Sequence, residues 1–120
     1  MPIAADFRVI NGSSQKLEPG KPLTYNFELP SNVARGADQT RSVLLVKYFL
    51  EGASGLTWEL CLNGSRLFES SGSGSHLLLT MEAFDAHRLL PGDNQVEIRW
   101  KQGLGVVRIA DTVVNYHINI

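Results

Sequence analysis

The chain has one cysteine, Cys61, so it holds no internal disulfide and no multi-cysteine zinc site. Cohesion must come from a buried apolar core and from backbone pairing. Charge of one sign is also missing: 11 Lys and Arg stand against 12 Asp and Glu, and the basic residues between Arg8 and Arg108 form no run. Strong nonspecific nucleic-acid binding, which needs a cationic surface, is not expected. No stretch approaches the roughly 20 apolar residues of a membrane helix, and the start, MPIAADFRVI, lacks a basic flank followed by an apolar run. The expectation is a soluble chain with no membrane insertion and no export signal of its own, cytoplasmic by default.

Several chemical constellations are absent too. The sequence has no G-x-S-x-G elbow for a nucleophilic serine, and neither glycine-rich segment continues into a phosphate-cradling motif. His76, His87 and His117 lack the spacing that sets two imidazoles on one metal. Cys61 lies between Leu60 and Leu62, where an inert, partly buried thiol is expected. Glu59 and Glu97 occupy outward strand positions and read as solvated surface charges rather than a catalytic pair. Catalytic activity, a cofactor and a bound metal are therefore not expected.

What is present is alternation. With 120 residues, 43% of them hydrophobic, the chain is sized for one globular domain. Leu23, Tyr25, Phe27 and Leu29 alternate with Thr24, Asn26 and Glu28, the period of a half-buried strand. Leu56, Trp58, Leu60 and Leu62 repeat the pattern and run into Asn63-Gly64, whose readiness for positive φ predicts a type I′ hairpin over residues 56–70. Further strands are expected at residues 7–10, 43–50, 77–81, 95–100, 106–110 and 113–120. About eight short strands imply an all-β antiparallel sandwich. Residues 82–90, EAFDAHRLL, are the one helical candidate; residues 70–75, SSGSGS, read as a flexible segment, and residues 103–105 as a hairpin turn. Asn11-Gly12-Ser13 and Asn63-Gly64-Ser65 fit the N-glycosylation pattern but read as turns. Trp58 and Trp100 share faces with apolar neighbours and are expected in the core.

Two strands carry more than a simple sandwich requires. Residues 43–50 offer Leu44, Val46, Tyr48 and Leu50 to one face, yet Val43, Leu45 and Phe49 to the other, interrupted by Lys47. The second apolar face must be covered by a loop, by the segment after Met81 or by another subunit, and Leu77 and Leu79 raise the same question. The last strand points Val114, Tyr116, Ile118 and Ile120 inward and leaves Asn115 and His117, preceded by Asp111, as a neutral polar stripe suited to a hydroxyl-rich ligand. Residues 30–41 form a long loop whose Arg35, Asp38 and Arg41 make a second candidate rim.

The segments LCLNGSRL, LLPGDNQVEIRW and GVVRIADTVVNYHI resemble the later strands of galactose-binding-domain-like jelly rolls, the sandwich shared by many carbohydrate-binding modules. The resemblance covers about half the chain. It implies a noncatalytic, lectin-like module with glycan as partner; the polar stripe and the long loop offer the residues expected to hold it, Asp111, Asn115, His117, Arg35, Asp38 and Arg41. The alternative is a structural or assembly subunit, homo-oligomeric or part of a larger particle, that uses Val43, Leu45 and Phe49 for protein contacts.

Overall fold

The computed structural model describes residues 3–36 and 41–120. Among these lie six strands: β1 (Ile3–Asn11), β2 (Gln15–Leu17), β3 (Leu23–Leu29), β4 (Arg41–Leu62), β5 (Ser65–Asp85) and β6 (Gly92–Asn119), with a 3-10 turn at Ala86–Arg88. All pair antiparallel in the order β1-β6-β4-β5, and β2 and β3 also pair with β6. The six segments expected between residues 43 and 120 are thus stretches of three long strands.

Length explains how one sheet becomes a sandwich. At about 3.3 Å per residue a straight strand as long as β6 would span roughly 90 Å. The molecule is only 49 Å along its longest axis. Each long strand therefore doubles back. Leu29 pairs with Gly92 at the start of β6, while Val33 bridges Ile118 near its end, so a short loop ties the two ends together. One layer holds β1 with residues 106–119 of β6, 41–51 of β4 and 74–85 of β5; the other holds β3 with residues 92–102, 56–62 and 65–72.

The bend is built from glycine and serine. Gly52 and Gly55 adopt φ of 55° and 54°, and the register of β4 shifts there against both neighbours. Their backbone N–H groups donate to Ser75 Oγ and Ser73 Oγ, each at 3.0 Å, while Thr57 Oγ1 meets Ser71 Oγ at 2.8 Å. The Gly-Ser stretch, expected as flexible, is instead ordered strand, because its hydroxyls satisfy the donors that the bulges release from the ladder. Gly103 and Gly105, expected to turn a hairpin, lie within β6; a Cβ on Gly103 would stand 2.3 Å from Gly55 O.

The core fills the space between the layers. Leu44, Val46, Tyr48 and Leu50 face inward from one arm of β4, and Leu56, Trp58, Leu60 and Leu62 from the other. Tyr48 meets the Trp58 ring edge-on at 5.0 Å between centroids, and its hydroxyl pairs with Ser70 Oγ at 2.9 Å. The Asn63-Gly64 turn forms as expected, with φ of 49° and 87°. Residues 82–85, expected in a helix, complete β5 opposite residues 41–44, where ladder pairing outweighs local helix propensity. Ile120, expected inside, is exposed.

The bend is the point where one added methyl group does most harm. Gly103→Ala is expected to lower the free energy of urea unfolding by about 3 kcal/mol, because it joins a backbone clash to a left-handed φ. Gly12→Ala, whose Cβ would meet Val9 Cγ1 at 3.9 Å, should stay within about 0.5 kcal/mol of the parent.

Candidate binding surfaces

The outer faces of the two layers differ in chemistry. On the β3 side, Glu59 lies on a central stretch of β4 and is only 6% exposed. It was expected to be solvated, but Arg99 Nη1 and Lys101 Nζ, each 3.7 Å from its Oε1, cover it from β6. Arg99 also bonds Glu97, and Arg66 pairs with Glu69 at 3.0 Å on β5. These opposite charges neutralise one another, between strands at Glu59 and along one strand in the Arg99–Glu97 and Arg66–Glu69 pairs. Cys61 is buried on the same face. Burial pushes its thiol pKa up, and Glu59 and Glu97 add to this against the opposing pull of Arg99 and Lys101. The thiolate is scarce at neutral pH, as expected of an inert cysteine. Native protein at about pH 8 should therefore react with a disulfide reagent on the order of 100-fold more slowly than urea-unfolded protein. Equal rates would show that the thiol is open to solvent.

Near the bend, Trp100 departs from its expected place in the core. Its cross-strand partner Trp58 is 1% exposed, whereas Trp100 packs on the core edge and remains half-buried. It forms a wall shared by two concavities. One, of about 270 Å³, also involves Lys16, Glu18, Pro19 and Leu104; the other, of about 150 Å³, involves Lys21, Pro22 and Arg99. The turn between them is fixed by Lys21 N–H donating to Glu18 O at 3.1 Å, with the two side chains paired at 3.8 Å. The sequence signal was the nearby Gly103, where alternation ends and burial with it. A third concavity, a groove of about 410 Å³, follows the seam between β1 and β3 and is lined by Arg8, Asn26, Glu28 and Asp93 around the largely buried Phe27.

The candidate residues of the closing strand lie on the outer face of the β1 layer. Asn115 stands between Phe7 and Val43, and His117 lies opposite Ala5. The His117 carbonyl accepts the Ala34 N–H at 2.7 Å, while its buried Nδ1 has no hydrogen-bond partner among the described residues. Asp111 sits in the register shift between the Val46–Thr112 and Tyr48–Ile109 pairs, roughly 20 Å along the strand from His117. Arg41, at the start of β4, donates to Ala83 O at 3.5 Å, and Arg35 donates to His87 O at 2.9 Å. Asp38 lies outside the described residues. Asn115, His117 and Arg41 thus share one end of the sandwich, while Asp111 stands apart. None of the three concavities includes them. Among the described residues no group of His, Cys, Asp and Glu is arranged to hold a metal ion.

The same face carries the apolar surplus of β4. Val43, Leu45 and Phe49 are half-buried on it, in rows that run Phe7, Asn115, Val43, Ala83 and then Val9, Val113, Leu45, Met81. Leu79 lies opposite Lys47, and Leu77 opposite Phe49. The segment after Met81 does not cover this face, because it is an edge strand of the same sheet.

No family profile matches the chain, and no curated protein matches it in sequence. Solved structures do match. Dimeric latent PorU from Porphyromonas gingivalis superimposes on 99% of this chain with a TM-score of 0.75 at 11% identity, the match spanning 13% of that protein. A β-porphyranase of glycoside hydrolase family 86 from Bacteroides plebeius covers 97% of the chain with a TM-score of 0.67 at 17% identity, over 21% of its own length. The CBM36-1 domain of a multidomain xylanase from the hindgut metagenome of Trinervitermes trinervoides covers 93%, with a TM-score of 0.56 at 10% identity, over 96% of that domain. The fold is therefore the antiparallel sandwich seen in carbohydrate-binding modules.

Proposed function

We propose that the chain is a noncatalytic carbohydrate-binding module that holds a glycan at the bend. The observation that carries this reading is the half-buried Trp100 set between two concavities with charged side chains on both sides. A sugar ring presents an apolar C–H face to an indole and hydroxyls to its surroundings, so it needs a ring wall flanked by donors and acceptors. Trp100 supplies the wall. Lys16, Lys21 and Arg99 supply donors, and Glu18 supplies an acceptor. The seam groove offers similar polar groups without an open aromatic face. Support also comes from the shared fold with a domain named as a carbohydrate-binding module.

A second contact set, Asn115 and His117 with Arg41, keeps a claim through the buried His117 Nδ1, which has no partner among the described residues. A glycan array probed with the labelled parent, Trp100→Ala and the Asn115→Ala/His117→Ala pair separates the two, with calcium present and after chelation. Trp100→Ala is expected to weaken binding of any hit at least tenfold, about 1.4 kcal/mol, while Trp100→Phe retains most of it. Loss in the strand pair alone moves the site to the closing strand. A folded parent that binds no glycan overturns the proposal.

A further inference from the structure

We infer that the outer face of the β1 layer is an interface between two copies of this chain, related by a two-fold axis that runs along the strands between β4 and β6. The inference is independent of glycan binding at the bend. Phe7, Val9, Leu77, Leu79 and Met81 are each more than half exposed, and Val43, Leu45, Phe49 and Val113 join them on one sheet surface. Such a set offers roughly 600 Å² of apolar area, at the upper end of the largest patch on an ordinary monomer. Closing two such faces on each other buries about 1,200 Å², the lower bound of a standard specific interface.

The arrangement of side chains selects a second copy over other occupants. Rotation about that axis lays β4 of one copy over β6 of the other and keeps each row in place. The bulky Phe7 then falls on the small Ala83, while Val9 falls on Met81 and Leu45 on Val113. Lys47 and Asp111, at the centre of this field, have opposite signs and lie on the two strands beside the axis. The rotation sets Lys47 of each copy over Asp111 of the second copy. In the row of Phe49 and Leu77, Arg108 is already balanced by Glu51 at 3.6 Å, and Lys16 stands beyond it on β2. An anionic bilayer would call for a rim of several uncompensated cations, whereas this face sets Asp111 and Glu51 among Lys47 and Arg108.

Sedimentation velocity over a dilution series tests the inference on the full chain. The parent is expected to show a concentration-dependent dimer mass. Leu45→Glu and Met81→Glu should each raise the dimer dissociation constant at least about tenfold while near-ultraviolet circular dichroism stays unchanged. Lys47→Asp or Asp111→Lys alone should weaken the dimer, and the double exchange should restore it. A parent that stays monomeric throughout overturns the inference, as does a dimer indifferent to Leu45→Glu. Monomers that bind liposomes overturn it in favour of a lipid occupant, and a double exchange that fails to restore association overturns the two-fold pairing.

Discussion

Everything in this fold depends on a backbone constraint at the bend: β4 and β6 must approach each other where no Cβ fits. An ordinary antiparallel pair tolerates side chains on both strands. Here Gly103 and Gly105 lie against Gly52, Ala53 and Gly55 at distances that only hydrogen can occupy. Bulging β4 at those positions bends the strand and sharpens its twist, but it also frees N–H groups from the ladder. Ser73 and Ser75 accept two of them, which places a low-complexity sequence in a definite structural role. Once bent, each long strand supplies both layers, so most layer-to-layer connections are continuous backbone rather than loops. The two faces of β4 then serve different purposes on either side of the bend.

The opposite end is closed by hydrogen bonding rather than by steric fit. Asn63 Nδ2 donates to Arg88 O at 3.1 Å and to Asn94 Oδ1 at 2.9 Å, while its own Oδ1 accepts the Gln95 N–H at 2.9 Å. Asn94 in turn holds Leu90 from both sides, accepting its N–H at 2.9 Å and donating to its carbonyl at 2.8 Å. The Asn-Gly and Pro-Gly-Asp-Asn motifs that carried the resemblance to galactose-binding-like sandwiches are therefore joined to each other. Their amides are occupied within the fold, so they mark the architecture and not a ligand site. This is why the resemblance predicted the fold well while pointing to no pocket.

Legibility in the sequence followed the range of the interaction. The strand at Leu23–Leu29 and the hairpin at Asn63-Gly64 were readable because alternation and turn chemistry are local. Residues 82–85 were misread because EAFD carries good helix formers, whereas its strand state comes from pairing with residues 41–44, some forty positions away. The Gly-Ser stretch failed for the same reason: its order is supplied by acceptors needed elsewhere. Glu59 was misread because parity gives the face of a side chain but not what lies over it. In this case Arg99 and Lys101 of the neighbouring strand cover it. Trp100 shows the converse, an inward residue left open because the sheet bends away beyond it.

The two outer faces follow from this arrangement. A charged face with Glu59 beneath two cations resists face-to-face stacking, because a second copy would have to strip water from ions that already have partners. The apolar face imposes less of this cost, since most of its side chains gain by leaving water and its central charges, Lys47 and Asp111, have opposite signs. The same strand makes both, as β4 carries Val43, Leu45 and Phe49 before the bend and Thr57, Glu59 and Cys61 after it, all on outward positions. One bend thus converts a single amphipathic ribbon into a body with a polar side and an apolar side. The half-buried Trp100 stands near the bend, where contact on the apolar face leaves it open.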